Sequence, residues 1–309
     1  GHAETAFYVK GLSYVHEAEN QVAMLSTVCR RVESPRHADQ LGSALSSVIN
    51  DMYTGRPAPG ALEIPIDIQY AKAQPIAISL PDNELFSPDE DELSAVVKRL
   101  QASRKTVVVA GGGVISSGAS SALLSLAEKL DLPVITTVDG RGCIPETHRL
   151  CVGNYYNSAG IYNAIQDAEV TLAIGTKFAV GVDGQFAAQK PPGDLIQIDI
   201  DGNMVGRTHR ASIGVIADAK LVLEGIISQI DNVDANDSQF NDLVWQARDG
   251  VRTAMRARLG PDWPLVMDLI REKLPSDSVF VRDQTISAYN WGNQLFPVLQ
   301  PRTLSLIHI

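Results

Sequence analysis

Three consecutive glycines, Gly111 to Gly113, stand between the apolar run Val107 to Ala110 and a leucine-patterned stretch with Leu123, Leu124, Leu126 and Leu130. Glycine-rich turns between a strand and a helix can aim backbone N–H groups at a phosphate. A dinucleotide fingerprint needs G-x-G-x-x-G, but here Gly111 and Gly113 are followed by Ser116 at the third position. A phosphate loop needs lysine after its second glycine; Gly113, Gly118 and Ser120 fit that spacing, but Ala119 takes the lysine's place. Without that charge an NTPase is excluded, and the failed third glycine disfavours an NAD-dependent oxidoreductase. Two readings of the turn stay open: contact with a nucleotide, or close packing of backbone on backbone.

Other groups offer less. Asp139 follows the second apolar run and could meet a ribose hydroxyl, and Asp199 and Asp201 end a strand-like run where a ligand or a turn could use them. Arg207, His209 and Arg210 form a small basic cluster that also reads as a solvated loop. No G-x-S-x-G elbow and no H-E-x-x-H is present, so hydrolase and zinc-protease chemistry find no support.

The elements that position these groups read as alternating strands and helices. Val107–Ala110, Pro133–Thr137, Val170–Ile174, Asp194–Ile200 and Ile213–Ala217 predict five strands; helices are expected over 89–102, the stretch after the glycines, 161–168 and 218–230. Several strands are continuous apolar runs, the mark of a sheet covered on both faces. The expected fold is therefore α/β, a doubly wound parallel sheet. Ser87 before Pro88 predicts the cap of the 89–102 helix. Upstream, 17–32 and 37–53 carry helical spacing, and Leu62, Ile64, Ile66 and Ile68 alternate as a strand would. Downstream, 240–258 and 264–274 predict helices and 278–281 a strand. The final LSLIHI fits no predicted element and reads as a candidate non-native tail.

The chain has 309 residues, 45% hydrophobic and 20% charged, with a net charge of −10. An acidic balance argues against nucleic-acid or anionic-membrane partners. Cys29, Cys143 and Cys151 have no C-x-x-C spacing and fit a reducing, cytoplasmic setting better than a disulfide framework or a zinc site.

Taken in order, GLSYVHEAENQ (11–21), TGRPAPGALEIPIDI (54–68), KTVVVAGGGV (105–114), LPVITTVDGRGCIPETH (132–148), LAIGTKF (172–178), LIQIDID (195–201) and DSVFVRDQTISAYNW (277–291) resemble the thiamine-diphosphate-dependent enzymes of the acetolactate synthase type. The likeness implies the end of a pyrimidine-binding domain over 1–80, a linker at 81–92 and a Rossmann-like central domain over 93–232. It further implies a linker helix at 233–262 and the start of a diphosphate-binding domain over 263–309. It implies thiamine diphosphate and Mg²⁺ as cofactors, a 2-keto acid as substrate, and a homodimer or tetramer. The 2-keto acid would be decarboxylated to an enamine, then protonated or condensed. By the same likeness the activating glutamate and the G-D-G…N metal segment lie outside this sequence. The chain is then expected to hold no catalytic residue and no metal ligand, and to be inactive alone.

The central domain of such enzymes binds FAD, ADP or nothing. Carried over, its cofactor-binding positions are Gly111, Gly112, Gly113, Thr137, Val138, Gly175, Thr176, Lys177, Asp199, Ile200 and Asp218. Two departures weaken the FAD expectation. The family's G-A-R-F-D-D-R is here GTKFAVG (175–181), where Lys177 replaces an arginine and loses its planar fork. The MHG-like segment is replaced around Asn154 to Asn157. A non-catalytic nucleotide-binding module is the alternative.

Overall fold

The computed structural model describes residues 18–74, 85–178, 189–231, 233–282 and 291–306, with residues 4 and 78. The chain divides into two compact units, Gly1–Glu84 and Leu85–Ile309.

In the first unit, β1 (Arg31–Glu33) pairs in parallel with β2 (Gly60–Leu62), joined through α2 (Leu41–Tyr53). Gly60 lies close enough to α2 that a Cβ there would sit 2.6 Å from Val48 Cγ1. Two expectations change here. The helix expected over 17–32 is only α1 (Gln21–Ser26), because Arg31 to Glu33 join the sheet. The alternating run 62–68 is a strand only to Leu62; Pro65 then caps a one-turn helix, α3 (Ile66–Tyr70), which buries Ile68. Of the stretch expected as a linker, 81–92, residues 81–84 fall outside the described residues.

The second unit is built on a six-stranded parallel sheet. Its strands are β3 (Thr106–Ala110), β4 (Val134–Thr136), β5 (Cys151–Gly153), β6 (Val170–Ile174), β7 (Asp194–Asp199) and β8 (Ile213–Ile216). Their order is β5-β4-β3-β6-β7-β8. Counted within this sheet that is 3-2-1-4-5-6, the doubly wound order expected, with its switch point between β3 and β6. Successive side chains of β3 enter opposite cores. Val108 and Ala110 join the core under α4 (Glu90–Gln101), α6 (Ser120–Leu130) and α8 (Ala219–Gln229). Val107 and Val109 join the core under α7 (Ala159–Ala164) and α9 (Ser238–Arg258). This is why a continuous apolar run, rather than an alternating one, marks the strand.

The sequence anticipated five of these strands. β5, three residues at the sheet edge, is the addition. The helix after the glycines is two pieces, α5 (Gly112–Ser116) and α6, broken at Gly118 with φ +68. The cap of α4 is Asp89, whose carboxylate accepts N–H groups of Asp91 and Glu92, so Ser87 does not cap it.

The start of α9 is fastened to β3 by an amide side chain. Asn236 Oδ1 accepts the Thr106 N–H at 2.8 Å and its Nδ2 donates to the Thr106 carbonyl at 2.9 Å, as a neighbouring strand would. After α10 (Asp262–Lys273), β9 (Phe280–Arg282) pairs in parallel with β10 (Leu304–Leu306). The first half of LSLIHI, expected to lack a place, is thus a strand; 307–309 lie outside the described residues.

Candidate functional site

Every expected cofactor-binding residue lies at the carboxyl ends of the strands. Gly111–Gly113 follow β3, Thr137 and Val138 follow β4, and Gly175–Lys177 follow β6; Asp199 ends β7, and Asp218 follows β8. They form a row spanning four inter-strand spacings, about 19 Å. This edge is where open α/β sheets meet their ligands.

At the switch point the loops are pressed together. Gly111 donates its N–H to the Ile174 carbonyl at 2.8 Å, and Gly113 donates to the Gly175 carbonyl at 3.1 Å. A Cβ on Gly111 would stand 2.1 Å from the Gly175 oxygen, and one on Gly113 would stand 2.5 Å from Gly175 Cα. Gly175 itself has φ +58. A Cβ on Gly140 would lie 2.2 Å from the Ala110 oxygen. Side-chain-free residues are therefore required to bring three backbones into contact, and packing alone accounts for them. The exposed Asp139 lies beside Gly112, whose Cβ would sit 3.0 Å from that of Asp139.

The remaining positions also have partners within the chain. The Thr137 hydroxyl accepts the Gly140 N–H at 3.2 Å, and the Val138 carbonyl accepts that of Arg141. Thr176 is buried; its hydroxyl accepts the Phe178 N–H and its carbonyl accepts Gln197 Nε2 at 3.1 Å. The Lys177 side chain is exposed, while its carbonyl accepts the Thr208 hydroxyl at 2.9 Å. Asp199 accepts the Asp201 N–H, closing a turn around the half-buried Ile200. Asp218 caps α8, accepting N–H groups of Lys220 and Leu221. In the basic cluster, His209 packs edge-on against buried Phe178 with centroids 5.3 Å apart. Among the described residues no group of three or more His, Cys, Asp or Glu could hold a metal ion. Among them, too, no helix is long and apolar enough to cross a membrane.

A buried and closely bonded polar pair lies on the loop after β4, and sequence reasoning gave it no role. Arg141 and Glu146 are both buried and form a two-pronged pair, Nε to Oε1 at 2.7 Å and Nη2 to Oε2 at 2.6 Å. Arg141 also donates to the Gly292 carbonyl at 2.6 Å and to that of Phe296. Burial by itself lowers the pKa of the guanidinium, but the Glu146 charge and hydrogen bonds outweigh it and the pKa is raised. Nothing in the order Gly-Arg-Gly-Cys-Ile-Pro-Glu announces this, because the partners lie about 150 residues downstream and are main-chain atoms.

Cys143 and Cys151 flank the same pair. Burial pushes the Cys143 thiol up to about 12 and raises Cys151 further, with the Glu146 charge adding to both. Both therefore stay protonated and inert at neutral pH. With Ellman's reagent we expect only the half-buried Cys29 to react in the native chain, and all three thiols after denaturation. A second fast thiol before unfolding would contradict the burial of this loop.

The sequence model for "Thiamine pyrophosphate enzyme, central domain" matches residues 93–226. A probable acetolactate synthase large subunit of Methanocaldococcus jannaschii is 33% identical over 195 residues, 60% of this chain and 33% of that protein. A probable 2-ketoarginine decarboxylase of Pseudomonas aeruginosa is 28% identical over 301 residues, 95% of this chain and 52% of that protein. An acetolactate synthase of Mycobacterium bovis is 28% identical over 258 residues, 80% of this chain and 42% of that protein. The chain thus spans between a third and about half of the length of these relatives. Its parallel sheet in doubly wound order, the matched central domain and these relatives agree: residues 93–226 are similar to the central domain of thiamine pyrophosphate enzymes, and the chain is similar to acetolactate synthases.

Proposed function

We propose that the chain is the middle portion of a thiamine-diphosphate-dependent enzyme that decarboxylates a 2-keto acid and protonates or condenses the resulting enamine. The carrying observation is the alignment with a probable 2-ketoarginine decarboxylase over 95% of the chain, which extends beyond the central domain on both sides. Decarboxylation is the step that this relative shares with acetolactate synthases. Thiamine diphosphate supplies the electron sink for it when bound. Among the described residues no cluster of His, Cys, Asp or Glu could hold the Mg²⁺ that accompanies it. Within this proposal the chain is a scaffold, inactive alone and part of a cytoplasmic homodimer or tetramer.

FAD or ADP along the carboxyl edge is the finer reading. The row of about 19 Å suits a dinucleotide in length. The glycines, accounted for by packing, lend it no further weight. Two measurements test the proposal. The genomic reading frame should continue into a G-D-G…N segment downstream and carry a cofactor-activating glutamate upstream. The protein it encodes should release CO₂ from a 2-keto acid only when thiamine diphosphate and Mg²⁺ are both supplied. Release without thiamine diphosphate, or a frame lacking both segments, overturns the reading. Denaturing the purified chain and recording the supernatant spectrum decides the nucleotide: a flavin or adenine band supports it, and none removes it.

A further inference from the structure

The contacts made by residues 291–298 fall on two sides. Their main chain is met by polar groups of the loop after β4 and its neighbours. Arg141 donates to the carbonyls of Gly292 and Phe296, Asn154 to that of Asn293 at 3.3 Å, and Tyr155 to that of Gln294 at 2.6 Å. Glu146 Oε2 accepts the Val298 N–H at 2.9 Å, and the Glu146 N–H donates to the Val298 carbonyl at 3.0 Å. The side chains of Trp291, Leu295 and Phe296 go instead into a separate cluster with Met267 of α10, against which Phe280 of β9 packs. Phe280 stacks on Phe296 with centroids 4.2 Å apart.

We propose that Arg141 and Glu146 are positioning residues: they form a latch that sets the path of residues 291–298 by recognising main-chain atoms. Through that segment they fix the α10–β9 cluster against the six-stranded sheet. The inference goes beyond the proposed activity and does not depend on it, because no cofactor or substrate enters the geometry. Recognition of main-chain atoms fixes a path without constraining side chains, which leaves Trp291, Leu295 and Phe296 available for the cluster. The latch is itself held in place. The turn carrying Arg141 is wound by N–H bonds from Gly140 to Thr137 and from Arg141 to Val138, and it rests on Ala110 through Gly140. A buried two-pronged pair suits this task, because an arginine fork has fixed directions and spare donors beyond its carboxylate.

Hydrogen exchange resolved by segment tests the latch. In Arg141→Met, amides of 291–298, Val298 among them, should exchange at least 100-fold faster and by local opening that guanidinium below the unfolding transition does not speed, while those of β3, β6 and β7 still exchange only through global unfolding. Arg141→Lys should fall between, keeping the charge without the fork. Arg99→Met, which removes the surface pair with Asp194, should leave 291–298 unchanged. If Arg141→Met does not fold, Arg141→Lys decides the matter: exchange about tenfold faster and confined to 291–298 supports the latch. Exchange of 291–298 that occurs only through global unfolding together with the sheet, or that stays unchanged, overturns it.

Discussion

Replacing Gly111 with alanine is expected to lower the unfolding free energy by about 3 kcal/mol or more, a large share of the stability of an ordinary domain. The new Cβ would lie 2.1 Å from the Gly175 carbonyl oxygen. That oxygen cannot retreat freely, because it accepts the Gly113 N–H, and Gly111 cannot retreat because its own N–H extends the β3–β6 ladder to Ile174. One of these bonds must lengthen for the methyl group to fit. Two other glycines separate this effect from backbone preference. Gly118 has φ +68 and nothing within 4 Å of its Cβ position, so Gly118→Ala should cost about 1 kcal/mol through conformation alone. Gly250 lies exposed within α9 with open space around it, so Gly250→Ala should stabilise by about 0.5–1 kcal/mol. Denaturant midpoints at constant slope give all three. Equal costs at Gly111 and Gly118 would remove the packing explanation of the glycine turn.

The second large effect lies in the buried pair. Arg141→Met should destabilise by about 3–5 kcal/mol, because it strands the Glu146 carboxylate away from water. Glu146→Leu should cost a similar amount by stranding the guanidinium. The double variant should be less unstable than the sum by about 3 kcal/mol, since neither charge is then left behind. Full recovery is not expected. The carbonyls of Gly292 and Phe296 and the Val298 N–H lose their partners in the double variant. A thermodynamic cycle from guanidinium unfolding measures this coupling, and strict additivity would show that the two residues act independently.

What could be read from the sequence follows from how local each signal is. β3, β6 and β7 are buried on both faces, so their runs of Val, Leu and Ile could hardly be anything else. β5 escaped because three residues at an edge, ending in Gly153, leave no pattern to count. The 62–68 run misled because a spacing of two appears equally in a short strand followed by one turn of helix. Only Pro65, which fixes the backbone at the start of α3, separates the cases. The positions along the carboxyl edge came from resemblance, and the structure puts them on consecutive strand ends. The latch could not be anticipated: its partners are peptide groups, which every residue has.

The strand order also bears on how the chain emerges during synthesis. The first strand of the sheet, β3, sits at its centre, and both of its neighbours come later. Its pairing with β6 joins Thr106 to Val170, 170 − 106 = 64 residues on. At about 5–20 residues per second that neighbour arrives some 3–13 s after β3. Throughout that interval one margin of the TVVVA strand has no partner, and its peptide groups can template pairing with another chain. The arrangement that buries β3 most completely in the finished protein leaves it longest at risk while the protein is being made.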